Sequence, residues 1–213
     1  MAVITISREL GSEGDKIAEL LAQGLGYRRV DKAILMQIAQ EAGVDIEAVL
    51  AMERSVTSSP KLVSNEMTSL YRKQPTAFKK KGALDEQTYA RVLREAMEQF
   101  AQEGKVIIVG QGGQMILRDW PTALHVRLYA PPEVRVQCLR ERENISEAEA
   151  KQRIARSDEE RRQYIRYMHH NADWANLKYY HLAINTAHIS PEVGAQIIIL
   201  AAKHKENLPS AKG

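Results

Sequence analysis

The chain has 213 residues, 44% of them hydrophobic, and a formal net charge of +3, so it can bury the core of one medium-sized domain spanning 1–213. Charges of both signs are mixed along the chain, a balance that favours an anionic small ligand over nucleic acid. The single cysteine excludes an intramolecular disulfide, and no apolar run reaches the roughly 18 residues of a membrane span; because a strand begins at residue 3 with no leader before it, we expect a cytoplasmic protein.

Strands and helices alternate in the first half of the chain. In chain order the patterns predict strand 3–7, helix 15–24, strand 27–30, and helices 33–42, 46–53 and 85–102. Residues 54–84 have no clear periodicity and carry serines, threonines, two prolines and a run of lysines. We expect this segment to be a mobile insertion with one short helix around 64–72.

The same alternation continues through the second half. The patterns predict strand 105–109, helix 114–118, strand 123–129, helices 132–142 and 146–167, strand 181–185 and helix 191–202. Residues 203–213 are polar and are expected to form a frayed tail. Strands that alternate with helices predict an α/β fold, in which a parallel sheet carries helices on both faces and binds ligands beyond the carboxyl ends of its strands.

A glycine-containing loop joins the first strand to the first helix. Gly11 and Gly14 let the backbone approach a ligand closely. Arg8 leaves the end of the strand, where its guanidinium can reach a phosphate. This layout is typical of a phosphate-binding loop, although the consensus G-x-x-x-x-G-K-[ST] is absent and Glu13 and Asp15 would repel a polyphosphate.

A second glycine loop, 110–113, follows the strand 105–109. Two such loops at matching ends of two buried strands favour a ligand more than either loop does alone. The alternative is that both are plain strand-to-helix turns, with Ser12 or Asp15 as the cap of the first helix.

A basic helix near the end of the chain is the third segment that carries chemistry. Its charged residues at helical spacing include Arg153, Arg156, Asp158 and Arg161. One interpretation is a lid, 146–178, whose arginines close over phosphates. The other is a solvated helix face covered by salt bridges. His169 and His170 lack the i,i+4 spacing of a helical metal site, so we assign no metal ligand.

The order of these pieces resembles the cytidylate kinase-like group of P-loop nucleoside monophosphate kinases, nearly end to end and least across 54–84. The segments that carry the resemblance are 4–9 with Gly11, Ser12 and Gly14, 17–18, 27–31, 106–110, 124–131 with Arg135, 158–161 with Tyr164, and 180–186. The resemblance implies a three-layer P-loop kinase fold with a five-stranded parallel sheet. It also implies that 54–84 is a substrate-binding insertion and that 146–178 is a lid.

The resemblance further implies ATP and Mg²⁺ as cofactors, and a nucleotide or small phosphorylated acceptor similar to CMP. The candidate ligands of the ATP phosphates are Gly11, Ser12, Glu13, Gly14, Asp15, Lys16, Arg153 and Arg156. The candidate ligands of the acceptor are Asp31, Gly110, Gln111 and Asp158. Arg8 and Arg161 are the candidate catalytic cations.

The chain departs from the family pattern within the first loop. The P-loop lysine position falls on Gly14, and the position of the magnesium-binding serine or threonine falls on Asp15. Lys16 lies beyond that position and is predicted to point away along the helix. Arg8 replaces the first loop glycine and is the best substitute for the lysine, with Arg161 next.

Two further departures concern the acceptor side, where Gln37 and Gln111 stand at positions that hold arginines in the family. Two functions therefore stay open. One is an ATP-dependent phosphotransferase of the nucleoside monophosphate kinase type; the other is a catalytically impaired nucleotide- or anion-binding regulatory protein on the same fold. A nucleic-acid-binding protein is a third alternative, against which the lack of a basic-aromatic motif argues. The sequence leaves the oligomeric state open.

Overall fold

The computed structural model describes residues 2–47, 49 and 76–206, which form a parallel sheet with helices packed on both faces. The strands are β1 (Val3–Arg8), β2 (Arg28–Val30), β3 (Val106–Val109), β4 (Ala123–Tyr129) and β5 (Leu182–Asn185). They form a five-stranded sheet of order β2-β3-β1-β4-β5, in which every pairing is parallel. The predicted α/β fold is confirmed, and each predicted strand is present to within about one residue at either end.

The described helices are α1 (Gly14–Leu25), α2 (Lys32–Glu41), α3 (Thr76–Glu103), α4 (Gly113–Ile116), α5 (Pro132–Glu143), α6 (Glu147–Met168) and α7 (Pro191–Glu206). Short 3-10 turns at Leu177–Tyr179 and Thr186–His188 flank β5. None of the helices in the described part of the chain combines the length and the apolar character that a membrane crossing requires.

Helix α3 begins earlier than the sequence pattern predicts. It starts at Thr76 instead of 85, so the end of the predicted insertion 54–84 is helical. Alanine, leucine and lysine have high helix propensity, and the one glycine in this stretch costs only about 1 kcal/mol in a helix. Residues 54–75 of the predicted insertion, with the short helix expected at 64–72, lie outside the described residues.

Helix α7 extends into the predicted tail 203–213 and ends at Glu206. Lys203 and Lys205 lie in its last turn, where cations complement the helix dipole. Glu206 also accepts a hydrogen bond from the backbone N of Ala2 at 2.7 Å, which ties this turn to the start of β1. The rest of the predicted tail is outside the described residues, as is most of the predicted helix 46–53.

Two apolar clusters lie on opposite faces of the sheet. One packs α3 against the sheet through the fully buried side chains of Tyr89 and Met97. The other packs α1 and α7 against the opposite face through Ile17 and Ile198. Burial of each such side chain contributes roughly 1.5–3 kcal/mol. Because both faces are covered, the carboxyl edge of the sheet is the place where a ligand can reach the strands.

The two glycine loops lie side by side at that carboxyl edge. β1 and β3 are neighbours, with Ile6 opposite Val109, so the segments that follow them adjoin. Gly11 and Gly110 both have φ of +83°, a left-handed conformation that side chains rarely adopt. A Cβ added to Gly11 would also lie 2.5 Å from the carbonyl oxygen of Arg135. The turns themselves therefore require glycine at both positions.

Candidate functional site

Arg8 joins the two glycine loops. Its aliphatic stem lies across Gly14, where an added Cβ would be 2.5 Å from Arg8 Cβ and 2.8 Å from Arg8 Cγ. A Cβ added to Gly110 would be 3.0 Å from Arg8 Nη1. Arg8 therefore occupies the space that a side chain at position 14 would need, and its guanidinium reaches the second loop.

The N-terminus of α1 has no side-chain cap. Its N-cap residue, Glu13, has a left-handed backbone with φ of 57° and makes no capping hydrogen bond. By contrast, Asp31 caps α2 and Ser146 caps α6 through side-chain oxygens. The alternative in which Ser12 or Asp15 caps α1 is therefore wrong. Backbone amides left open at the positive end of a helix dipole are suited to an anion.

Three polar side chains of the first loop and the first turn of α1 have protein partners of their own. Ser12 Oγ donates to a loop carbonyl at 2.8 Å. Glu13 accepts a hydrogen bond from Cys138 Sγ at 2.7 Å, and burial followed by this bond raises the pKa of the Cys138 thiol to about 12. Lys16 Nζ lies 3.6 Å from a carboxylate oxygen of Glu192, so this side chain points towards α7. The Glu13 carboxylate thus leaves the loop open.

Asp15 is shared by two guanidinium groups. Its Oδ1 lies 3.2 Å from Arg8 Nε and 3.4 Å from Arg29 Nη2. Arg29 Nη2 is also 3.9 Å from Asp31 Oδ2, a distance that suits an ion pair but not a hydrogen bond. Asp31, which the sequence assigns to the acceptor, thus caps α2 and faces Arg29. Arg29 was missed because nothing in the sequence distinguishes it from the neighbouring Arg28.

A buried network of ion pairs holds the first glycine loop against β4, α5 and α6. Glu9 lies 2.8 Å from Arg127 and 3.3 Å from Arg135. Arg135 donates to both carboxylate oxygens of Asp158 at 2.8 Å and to the carbonyl of Leu10 at 2.8 Å. Asp158 therefore ties α6 to the loop, and this supporting role replaces the contact with an acceptor that the sequence predicts. The only available signal for Arg127 was a charge inside a strand that is otherwise apolar.

Arg161 is the one arginine of the three predicted phosphate contacts on α6 that lies at the site. Its guanidinium carbon is 4.9 Å from the ring centroid of Trp174, and its Nη1 is 3.4 Å from Asp158 Oδ1. Arg127 stacks on the same indole at 4.2 Å. Burial, and after it the positive charge of Arg8, lowers the pKa of Arg161 to about 10. Arg8 and Arg161 thus repel each other, and an anion between them would relieve that repulsion.

The other two arginines that the sequence assigns to ATP phosphates, Arg153 and Arg156, bind surface glutamates. Arg153 Nη1 lies 2.6 Å from Glu143, and Arg156 Nε lies 2.7 Å from Glu160. The side chain of Arg156 is 78% exposed. The interpretation as solvated salt bridges therefore describes these two residues, whereas Arg161, further along the same helix, faces the loop. Their predicted contacts with ATP phosphates do not fit these partners.

A cleft of about 180 Å³ opens beside the second loop, between α3 and α6. Its polar lining includes Arg91, Arg94, Gln111, Tyr164 and His169. The imidazole of His169 packs against Gly112, where any Cβ would clash with the ring. Burial, and then the charge of Arg94, lowers the pKa of His169 to about 4, so this histidine is neutral at pH 7. Gln111 faces the cleft, and the preceding residue, Gly110, lies beside the Arg8 guanidinium.

Residues 2–47, 49 and 76–206 contain no group of three histidine, cysteine, aspartate or glutamate side chains placed to hold a metal ion. Asp15 is the carboxylate nearest to the guanidinium groups of Arg8 and Arg29 at the first loop. A magnesium ion that arrives with phosphates and keeps most of its water needs only one or two protein carboxylates.

The strand order and the glycine loop between β1 and α1 define a P-loop kinase fold. A solved structure described as an uncharacterized protein from Eubacterium ventriosum superposes with a TM-score of 0.69 at 18% identity, and the match covers 98% of this chain and 100% of that chain. The YorR protein of Bacillus subtilis, solved in complex with phosphorylated GDP, gives a TM-score of 0.51 at 15% identity over 98% of this chain and 99% of that one.

Sequence comparison gives the family within this fold. Residues 3–188 match the cytidylate kinase-like family, and the chain belongs to it. The cytidylate kinase of Ignicoccus hospitalis is 29% identical over 200 residues, which cover 93% of this chain and 97% of that protein. The cytidylate kinase of Pyrococcus horikoshii is 27% identical over 98% of this chain and 92% of that protein.

Proposed function

We propose that this protein is an ATP-dependent nucleoside monophosphate kinase that phosphorylates CMP, dCMP or a related small phosphorylated acceptor. The observation that carries the proposal is Arg8, which lies across Gly14 beside an uncapped helix N-terminus. A cation and open amides at one point are what the phosphates of ATP require. Membership of the cytidylate kinase-like family and the cytidylate kinases among its relatives support the acceptor class.

On the donor side, the phosphates of ATP would bind over residues 8–16. The first-turn amides of α1 supply fixed donors, and Arg8 supplies the positive charge that a lysine at position 14 would otherwise bring. A planar guanidinium can bridge two phosphate oxygens, which a single ammonium cannot do in the same geometry. The buried pairing of Glu9 with Arg127 and Arg135 holds the loop in position for this contact.

Asp15 fits the role of the one protein carboxylate near Mg²⁺, once Arg8 and Arg29 turn from it to the phosphates. The metal, when bound, would supply neutralisation of the phosphate charge. Ser12 does not fit, because its hydroxyl donates inward to a loop carbonyl.

In the transfer step, a phosphate oxygen of the acceptor forms a bond to the γ-phosphorus of ATP. The bond between that phosphorus and the β–γ bridging oxygen breaks, and ADP leaves with the electron pair. Arg8 and Arg161 neutralise the charge that spreads over the transferring group, without a covalent enzyme intermediate. Desolvation of Arg161 against Trp174 strengthens its attraction for that charge.

The acceptor would occupy the cleft beside Gln111. Gln111, which lines this cleft, follows Gly110, and Gly110 lies beside the Arg8 guanidinium. An acceptor in the cleft would therefore lie on the same side of the second loop as the donor phosphates that Arg8 binds. We further propose that 54–84 acts as the substrate-binding insertion and 146–178 as the lid.

A second candidate is a regulatory protein that binds a nucleotide or an anion without turnover. The observation that favours it is the Asp15 carboxylate, which already engages Arg8 and Arg29 and competes with a phosphate for both. The neutral side chain of Gln111 in the cleft also favours the regulatory protein, because this residue brings no charge to an acceptor phosphate.

Two measurements separate these candidates. A thermal-shift panel of ATP, ADP, CMP and dCMP, each with and without Mg²⁺, detects binding because a ligand of the native state raises its apparent stability. A steady-state assay with CMP and Mg-ATP detects turnover. Turnover supports the kinase; a clear shift with nucleotide but no turnover with any monophosphate supports the regulatory protein; and no shift with any nucleotide contradicts both.

A further inference from the structure

Arg28 and Arg29 are adjacent on β2 and point to opposite faces of the sheet, as strand geometry requires. The guanidinium of Arg28 stacks over Phe100 of α3 at 4.7 Å from the ring centroid. Arg29 pairs in register with Ile107, whose side chain lies in the cluster beneath α1. Arg29 therefore reaches the first turn of α1, where Asp15 lies.

Arg29 has more hydrogen-bond donors than partners. Its Nη2 lies 3.4 Å from Asp15 Oδ1 and 3.9 Å from Asp31 Oδ2. Its Nε is buried and has no hydrogen-bond partner among the described residues. A guanidinium carries five N–H donors, and a buried one without a partner is costly unless something binds it. The side chain is 31% exposed, so an incoming ligand can reach it.

We propose that Arg29 binds the phosphate of the acceptor, an inference that rests on the proposed kinase function. Arg29 is the middle residue of β2, the edge strand that leads into α2, and it faces Asp31, the N-cap of that helix. Gln37, on the same helix, donates to Glu41 at 3.0 Å and carries no charge. Arg29 is thus a cation with a spare donor that this edge of the site offers to a phosphate monoester.

The shared carboxylate links the two halves of the site. Arg8 and Arg29 both bind Asp15 Oδ1, from the sides of β1 and β2 respectively. Together the three residues carry one net positive charge. We expect Arg8 to turn to the donor phosphates and Arg29 to the phosphate of the acceptor. The two guanidinium groups, which lie side by side at the same carboxylate, would then hold the two reacting phosphates next to each other.

Calorimetric titration of Arg29→Gln, Arg29→Lys and Arg28→Gln with CMP, cytidine and ATP tests this assignment. Loss of a charged hydrogen bond predicts that Arg29→Gln binds CMP roughly 10- to 100-fold more weakly than the wild type. The affinities for cytidine and ATP should change by less than about 3-fold in this variant, because the proposal gives neither ligand a contact with Arg29. Arg29→Lys, which keeps the charge but loses the planar fork, should fall between the two.

Arg28→Gln is the matched control, because it removes the same charge from the adjacent position on the opposite face of β2. It should leave all three affinities near those of the wild type. Equal affinity of the wild type and Arg29→Gln for CMP overturns the assignment, and so does a loss for ATP or cytidine as large as that for CMP. If Arg29→Gln does not fold, unchanged CMP binding in Arg29→Lys overturns it instead. A wild type that binds neither CMP nor ATP overturns the proposed function itself.

Discussion

The two ends of the sheet use polar groups in different ways. Towards the amino ends of the strands, His125 and His181 stack at 4.8 Å, and His125 is satisfied by Thr5 Oγ1 at 2.8 Å and by a backbone carbonyl at 3.1 Å. At the carboxyl ends, Arg8 and Arg29 share a single carboxylate, and described partners leave the Nε of Arg29 unpaired. Groups that satisfy one another serve stability, whereas groups with spare donors are available to a ligand.

Removal of Arg8 should have the largest effect at the carboxyl end. We expect Arg8→Ala to lower kcat by about 10²- to 10³-fold, because the transition state loses its fixed cation, while ATP affinity falls far less. The measurement is a steady-state assay with CMP and Mg-ATP. Lys16→Ala is the control and should be nearly silent, since Lys16 points to Glu192. Activity that survives Arg8→Ala but not Lys16→Ala would mean that the loop is misaligned by two residues.

The buried pair beneath the loop shows that some charges at the carboxyl end are structural. Asp158→Ala would leave the buried guanidinium of Arg135 without its two-pronged partner. We expect this to lower the free energy of unfolding by about 3 kcal/mol, measured by urea denaturation. Glu160→Ala, which breaks the exposed pair with Arg156 on the same helix, should cost less than about 1 kcal/mol. Similar losses in both variants would contradict this distinction.

At the amino ends of the strands, His125 should make the stability of the protein depend on pH. Burial, then the charges of His181 and Lys205, lowers the pKa of His125 from 6.5 to about 4. Between these two pKa values the histidine is protonated in the unfolded chain but stays neutral in the native protein. Its contribution to stability is therefore complete above pH 6.5 and is lost as the pH falls through 4.

Urea denaturation at pH 7 and pH 5 measures this contribution, which should fall by about 2 kcal/mol between the two. His125→Asn removes the titrating group and should reduce the dependence on pH by that amount. A variant that keeps the slope of the wild type would show that the slope arises from other groups.

The smallest expected effect is that of Asp15→Asn on the affinity for ATP, which tests whether Asp15 competes with a ligand. Asp15→Asn removes the negative charge that Arg8 and Arg29 share. An exposed ion pair is worth about 0.2–1 kcal/mol, so the affinity for ATP without Mg²⁺ should rise by about 2- to 5-fold in a calorimetric titration. Glu13→Gln neutralises the nearby carboxylate that binds Cys138 and should leave the affinity unchanged. Weaker binding by Asp15→Asn would mean that the carboxylate helps the ligand.

The sequence alone determined the layers of the fold and the place of the site. A strand covered on both faces must be apolar throughout, which is why Val106–Val109 and the start of the chain could be recognised as buried strands of a parallel sheet. The end of each such strand carries glycine where the backbone turns with positive φ, and this located the ligand edge. Apolar runs and glycine at strand ends are local properties of the chain, so they can be recognised in a single sequence.

Only the tertiary structure decided which charges serve the site. Arg153, Arg156 and Arg161 follow one another on α6 with similar surroundings in the sequence, yet Arg161 alone of the three stacks on Trp174. Arg28 and Arg29 differ in the sequence by a single position, which places them on opposite faces of β2. The partner of a long charged side chain is set by what the fold brings within about 4 Å of its tip, and neither composition nor periodicity contains that distance.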